Sequence, residues 1–334
     1  FRKCPKCGQP KTFGTLTVND DSFSRRCFSC RYTDSIPLPY LNKKIIYIDQ
    51  FAISNMMKAL NKRTEANKKG RVDIFWRTLF EKLDRLCKLQ LIICPDSNIH
   101  TDESLMTGYF KELKRMYELL SHGVSFERPE TIQMHQVYEH AFNWISGSPE
   151  KPISLNVHDV VHGKINAWQD RLIISIDRSF QTSWIDDIRK SRDFVCAEMS
   201  EVFKRWQSEK GKPFRYFFDR ECKEFIRELI YSYVGQLKRW HDISQGNAEM
   251  NIKDAFPPSS YRMIKAVHDT FERAGIQDEE IYNKTMEYLN SKYIKDIPFL
   301  KISAMFYAAI ARKTAAGQKK PPGQGMSNDI SIIS

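Results

Sequence analysis

Cysteine spacing constrains this chain more than any other feature. Cys4 and Cys7 form one C-x2-C pair, Cys27 and Cys30 form a second, and nineteen residues separate the two. Each pair presents two thiolates from one tight turn, and two such turns close a tetrahedral shell around a single Zn²⁺. A four-thiolate shell leaves no position open for a substrate, so the expected role is structural. Residues 1–35 are therefore expected to fold as a zinc ribbon, followed by an extended linker over 36–43, where Pro37 and Pro39 fall. Cys87, Cys94, Cys196 and Cys222 are scattered through apolar or helical surroundings. That usage suits ordinary burial in a reducing, cytoplasmic compartment.

Charge narrows the partner. Lys and Arg outnumber Asp and Glu by 52 to 41 over 334 residues, a formal net charge of +11. A basic surface steers polyanions and gains from counterion release, so nucleic acid is the expected partner. Arg2, Lys3, Lys6, Lys11, Arg25, Arg26 and Arg31 would give the ribbon such a surface. No apolar run approaches the roughly 18–20 residues of a membrane span, and FRKCPKCGQP lacks a signal-peptide pattern, so no membrane partner is expected.

Beyond the linker, KIIYID (44–49) is a short β-branched run that ends on an acid and leads into the helical FAISNMMKAL. Ile74, Phe75, Leu79, Leu83 and Leu86 then recur at helical spacing, and LQLIICP follows as a second strand. The pattern is β-α-α-β. After it the periodicity is helical, with segments expected at 104–121, 128–146, 182–208, 213–240, 258–274, 278–292 and 297–313. Aromatics interleaved with cations at Lys204–Trp206, Phe214–Arg220 and Lys238–Trp240 read as residues straddling a core and its rim rather than as base-stacking platforms.

Carboxylates mark the element ends. Asp49 closes the first strand, a position where parallel α/β sheets gather a site. PDSNIHTDES supplies Asp96, Ser97, His100, Asp102 and Glu103 after the second strand, and GMSNDISIIS places Asn328 and Asp329 behind a Gly-rich loop. Several such acids brought together hold divalent cations against a phosphodiester. Each acid taken singly also reads as an N-cap or first-turn residue, and for Asp102 that reading is preferred. His158 and His162, at i and i+4, are more simply ordinary helix residues than a metal pair, since no Glu follows the first.

IIYIDQFAISNM resembles the opening strand and first helix of PIN-like nuclease domains. PDSNIHTDES and GMSNDISIIS are similar to that family's second and third acidic motifs. The resemblance covers roughly residues 44–110 and 320–334. It implies an α/β PIN-like core, incomplete at the C-terminus, whose first part is 44–104 and whose third motif lies in 316–334. A large all-helical insertion would occupy 105–315. It further implies Asp49, Glu103 and Asp329, with Asp96, as acids binding Mg²⁺ or Mn²⁺, and Ser97, His100 and Asn328 as neighbouring substrate-binding positions. The implied activity is metal-dependent endonucleolytic hydrolysis, of RNA in preference to single-stranded DNA. The competing class is a non-catalytic nucleic-acid or protein adaptor, docking through the ribbon or the helical body, with the acids serving only as caps.

Overall fold

The computed structural model describes residues 1–64, 69–70, 73–105, 107–168, 182–251, 254 and 257–318. Asn328 and Asp329 lie outside the described residues. The chain divides into two units, Phe1–Glu127 with Val157–Ile185, and Arg128–Asn156 with Asp186–Ser334.

The first unit begins with an antiparallel sheet of β1 (Phe13–Val18), β2 (Ser22–Cys27) and β3 (Thr33–Pro37). Register pairs Phe13 with Cys27 and Arg26 with Thr33, so the sheet brings the second cysteine pair beside the first. The ribbon thus runs two residues further than expected, to Pro37. The linker after it is pinned. Trp168 Nε1 donates to the Pro39 carbonyl (2.7 Å), and the buried Lys43 ammonium donates to the Ala167 carbonyl (2.7 Å).

Next, β4 (Lys44–Ile45) pairs in parallel with β5 (Ile92–Ile93). Between them lie α1 (Gln50–Leu60) and α2 (Ile74–Lys88), confirming the β-α-α-β order. Asp49 and Asp73 cap these helices by accepting the Phe51 and Phe75 backbone N–H groups. Two further helices follow, α3 (Asn98–Leu105) and α4 (Phe110–Ser121), where the sequence reads as one helix over 104–121. Beyond β5 the chain continues alongside β6 (Ser125–Phe126) through a parallel bridge at Asp96–Ser125, and β6 pairs antiparallel with β7 (Val161–His162). His162 therefore sits in a strand, with Glu127 3.5 Å away, and shares no helix face with His158.

Apolar residues of four elements close this core: Ile53 and Met56 from α1, Leu83 and Cys87 from α2, Leu113, Met116 and Leu120 from α4, and Cys94 after β5. The placement of α4 moves a boundary. Reading the helical insertion from residue 105 treats α4 as part of it, yet its apolar stripe packs on α1 and α2, and the second unit opens at Arg128.

That second unit is all-helical among the described residues: α5 (Pro129–Ile145), α6 (Thr182–Ser208), α7 (Phe214–Ser244), α8 (Ser259–Arg273), α9 (Asp278–Leu289) and α10 (Pro298–Ala315). Along α10, Ala304, Ala308, Ala311 and Ala315 recur at helical spacing. The last three share a cluster with Phe217, Phe203 and Trp206. Trp206 is 1% exposed and Phe217 fully buried while Tyr216 is 40% exposed, so the interleaved aromatics do straddle a core and its rim. Buried Gln136 accepts the Phe299 N–H (2.7 Å) near the start of α10, satisfying a donor that the helix itself cannot. No described helix is long and apolar enough to cross a membrane.

Two histidines of this unit are held neutral. Burial lowers the pKa of His140, whose Nδ1 lies 2.9 Å from Tyr288 Oη, and of His268, 3.2 Å from Tyr233 Oη. On acidification the unfolded chain takes up these protons first, near its ordinary value of about 6.5. The stabilisation is complete above that pH and is lost as pH falls through the lower folded value. We expect unfolding free energy, measured in urea between about pH 7 and 5, to fall with a slope that His140→Gln reduces by up to about 1.4 kcal/mol per pH unit. An unchanged slope would contradict this.

Candidate functional site

The four expected cysteines converge. Cys4 Sγ and Cys30 Sγ lie 3.7 Å apart, as do Cys7 Sγ and Cys27 Sγ, and all four sulfurs fall within 4.8 Å of one another. Tetrahedral ligands at about 2.3 Å from zinc are separated by about 3.8 Å, so the arrangement fits a metal such as zinc. Two matching turns build it. Gly8 and Arg31, each directly after the second cysteine of its pair, adopt φ of 73° and 61°, and their N–H groups bond back to the Cys4 and Cys27 carbonyls. The Lys6 and Cys7 N–H groups point at Cys4 Sγ, at 3.4 and 3.5 Å.

Proton sharing follows from crowding. Burial opposes ionisation of Cys27, but the Cys30 backbone, the Thr12 hydroxyl and the Ser29 backbone outweigh it and bring the thiol down to about 6. At Cys7 the Gln9 backbone favours the thiolate, while burial and three neighbouring sulfurs push it up to about 11. A cation relieves that conflict by accepting all four as thiolates. Among the remaining cysteines, Cys87, Cys94 and Cys222 are buried, as expected, and the Cys196 side chain lies outside the described residues.

The acidic residues form a second locality on the other part of this unit. Asp49 is exposed and uses Oδ2 to accept the Phe51 N–H (3.0 Å). Asp96 Oδ1 accepts the Ser97 N–H (2.7 Å) and faces His100 Nδ1 at 3.3 Å. Ser97 Oγ accepts the His100 N–H (3.2 Å), as a cap at the start of α3. Asp102 is no first-turn residue: the helix starts at Asn98, leaving Asp102 exposed in its middle.

His100, 1% exposed, is sandwiched between Tyr117 (centroids 4.4 Å apart, 12°) and Tyr47 (5.1 Å, 21°), with Nε2 3.1 Å from Tyr47 Oη. Tyr117 ties the acids together. Its phenol is raised well above the ordinary tyrosine value, first by burial and then by the charges of Asp96, Tyr47, Glu103 and Asp49. Three of the four expected acids therefore act on one buried hydroxyl, and among the described residues that hydroxyl has no hydrogen-bond partner. Gln50, Asn98 and Ser104, chain neighbours of Asp49, Ser97 and Glu103, each likewise carry a buried oxygen without a partner.

The acids are not yet gathered as ligands. Among the described residues only the cysteines place three or more ligand atoms within 4.8 Å of one another, so Asp49, Asp96 and Glu103 do not chelate one ion as positioned. Asp329 and Asn328 lie outside the described residues. Tyr47 and Tyr117 were not expected from the sequence, because KRMYELL places Tyr117 on an apolar stripe where an aromatic signals packing alone. No family model, curated protein or solved structure matches the chain.

Purified protein is expected to carry about one zinc per chain by elemental analysis, as one tetrathiolate requires. Cys27→Ser should lose it and release the ribbon to proteolysis, whereas full zinc content in that variant would contradict the site.

Proposed function

We propose that the chain is a metal-dependent endonuclease that hydrolyses phosphodiester bonds, most readily in RNA, with the zinc ribbon as a structural and nucleic-acid-gripping module. The observation that carries the reading is the buried, unpartnered Tyr117 hydroxyl under the charge of Asp49, Asp96 and Glu103. Buried polar groups are nearly always satisfied, so several that lack partners among the described residues, near Asp49, Asp96 and Glu103, support a polar ligand there. Asp49, Glu103 and Asp329, with Asp96, would hold Mg²⁺ or Mn²⁺. When bound, such ions activate water and stabilise charge on the scissile phosphate, leaving a 5′-phosphate on the product.

The chain's own groups would do the rest. The Tyr117 phenol, protonated at neutral pH as tyrosines ordinarily are, would donate to a ligand oxygen admitted beside it. His100, held against two tyrosines and Asp96, would orient α3, which Ser97 caps and whose second turn carries Glu103. Exposed basic residues on the ribbon, Arg2, Lys3, Lys6 and Arg26 among them, would attract the strand.

The adaptor reading draws on one observation: among the described residues the acids do not bring three ligand atoms within 4.8 Å of one another. Cleavage with added Mn²⁺ decides between the two. Asn caps helices as well as Asp does, so Asp49→Asn should keep its melting temperature and lose at least about 100-fold in cleavage rate, as loss of charge stabilisation at the reacting phosphate implies. Tyr117→Phe removes a hydroxyl without a partner, so its stability should hold or rise by about 1 kcal/mol while the turnover number falls. Cleavage unaffected by Asp49→Asn would sink the assignment.

A further inference from the structure

The helical unit carries a cavity of about 550 Å³ between α7 and the segment that joins α9 to α10. Its floor is apolar, formed by Cys222, Ile226, Ile230, Leu289 and Ile294. Its rim is cationic. Lys223, Lys292 and Lys295 line it, and among the described residues none of them forms an ion pair. Arg227 also lines it, bonded to Glu224 at 3.3 Å, and the hydroxyl of Ser291 is buried there without a partner. Asp219 also lines the cavity but is taken up by Arg215 (3.5 Å), and Lys292 lies 4.8 Å over the Tyr293 ring. Three lysines without ion pairs around one concavity still repel one another, so the arrangement favours an anion between them.

Spacing distinguishes an extended ligand from a compact one. Asp219, Lys223, Arg227 and Tyr231 follow one another at four-residue steps on α7 and all line the cavity, a ridge roughly 18 Å long at 1.5 Å per residue. Lys295 belongs both to this cavity and to a second hollow of about 320 Å³ that Arg215 and Lys301 also line. In that hollow the cations are neutralised, Arg215 by Asp219 (3.5 Å) and Lys301 by Asp296 (3.1 Å). At the other end of the ridge Tyr231 is 76% exposed, an aromatic face left in solvent beside the apolar floor. Phosphates meeting lysines and bases meeting an aromatic and aliphatic floor are the chemistry of single-stranded nucleic acid binding.

We infer that the α7 groove is a binding track for single-stranded nucleic acid, with Lys223, Lys292 and Lys295 on its phosphates and Tyr231 stacking a base. It deepens the nuclease reading by supplying a second contact surface, but it stands on binding alone. The test is fluorescence anisotropy of the full chain with a labelled, unstructured RNA strand, from roughly 50 to 200 mM salt. An Asp49→Asn background keeps the strand intact, and failure of the cleavage reading leaves this measurement unaffected.

Replacing Lys223, Lys292 and Lys295 together by Glu should weaken binding at least about tenfold and reduce the salt slope by about 2, at roughly 0.7 per phosphate contact. The same three positions as Gln give the slope change without charge reversal if the Glu variant does not fold. Tyr231→Ala should weaken binding by about 1–3 kcal/mol, or about 5- to 150-fold, with the slope unchanged. Affinity and slope unchanged in the lysine variants would overturn the proposal. Complete competition by a mononucleotide at equal phosphate concentration, or by polyglutamate, would likewise replace it with a small-ligand or acidic-protein site.

Discussion

A short parallel ladder sets the position of the acidic residues in the first unit. Lys44 N–H bonds to the Leu91 carbonyl and Ile46 N–H to that of Ile93, while three positions further on Asp96 exchanges bonds with Val124 and Phe126. Because the strands are parallel, their carboxyl ends lie together. Asp49 and Asp96 each leave a strand at that end and enter a helix start, where backbone N–H groups favour negative charge. The α4 helix then returns along the same core and delivers Tyr117 beneath them. Slipping the ladder by one residue would turn Ile92 and Ile93 to the wrong faces, since one packs in the α1–α2–α4 cluster and the other against Val124, Val161 and Ile165.

Two metals of different character are involved in the functional reading. The cysteine shell is complete within a three-stranded sheet and two matched turns, and nothing in it reaches outward. Its contribution is to the stability of a domain too small to hold a core by burial, where only Cys4, Phe13 and Cys27 are buried together. The acidic locality differs: its carboxylates come from several elements, and beside them lie buried polar oxygens that have no hydrogen-bond partner among the described residues. The proposed chemistry draws on the second, and rigidity on the first.

Much of this was legible in the residues themselves. The C-x2-C pairs are a local signal, because each knuckle is closed by its own backbone, and Gly8 satisfies the left-handed turn that Arg31 adopts at its counterpart. Long helices such as Thr182–Ser208 and Pro298–Ala315 repeat their apolar stripe often enough to be delimited to within two residues. The two-residue strands β6 and β7 have no period to detect, which hid the return of Val157–Trp168 to the first unit. Tyr117 was hidden for another reason. One side of its ring packs as any core aromatic does, and only the three-dimensional position of its hydroxyl reveals the carboxylates around it.

Whether those carboxylates form a cation site is decided most directly by Mn²⁺ binding, read by electron paramagnetic resonance on the zinc-loaded protein. Saturable binding that disappears in both Asp49→Asn and Glu103→Gln, with zinc content unchanged, is the predicted result. Mn²⁺ binding that is absent in the native chain, or equal in all three proteins, would show that the acids hold no shared metal and act only at the helix ends they occupy.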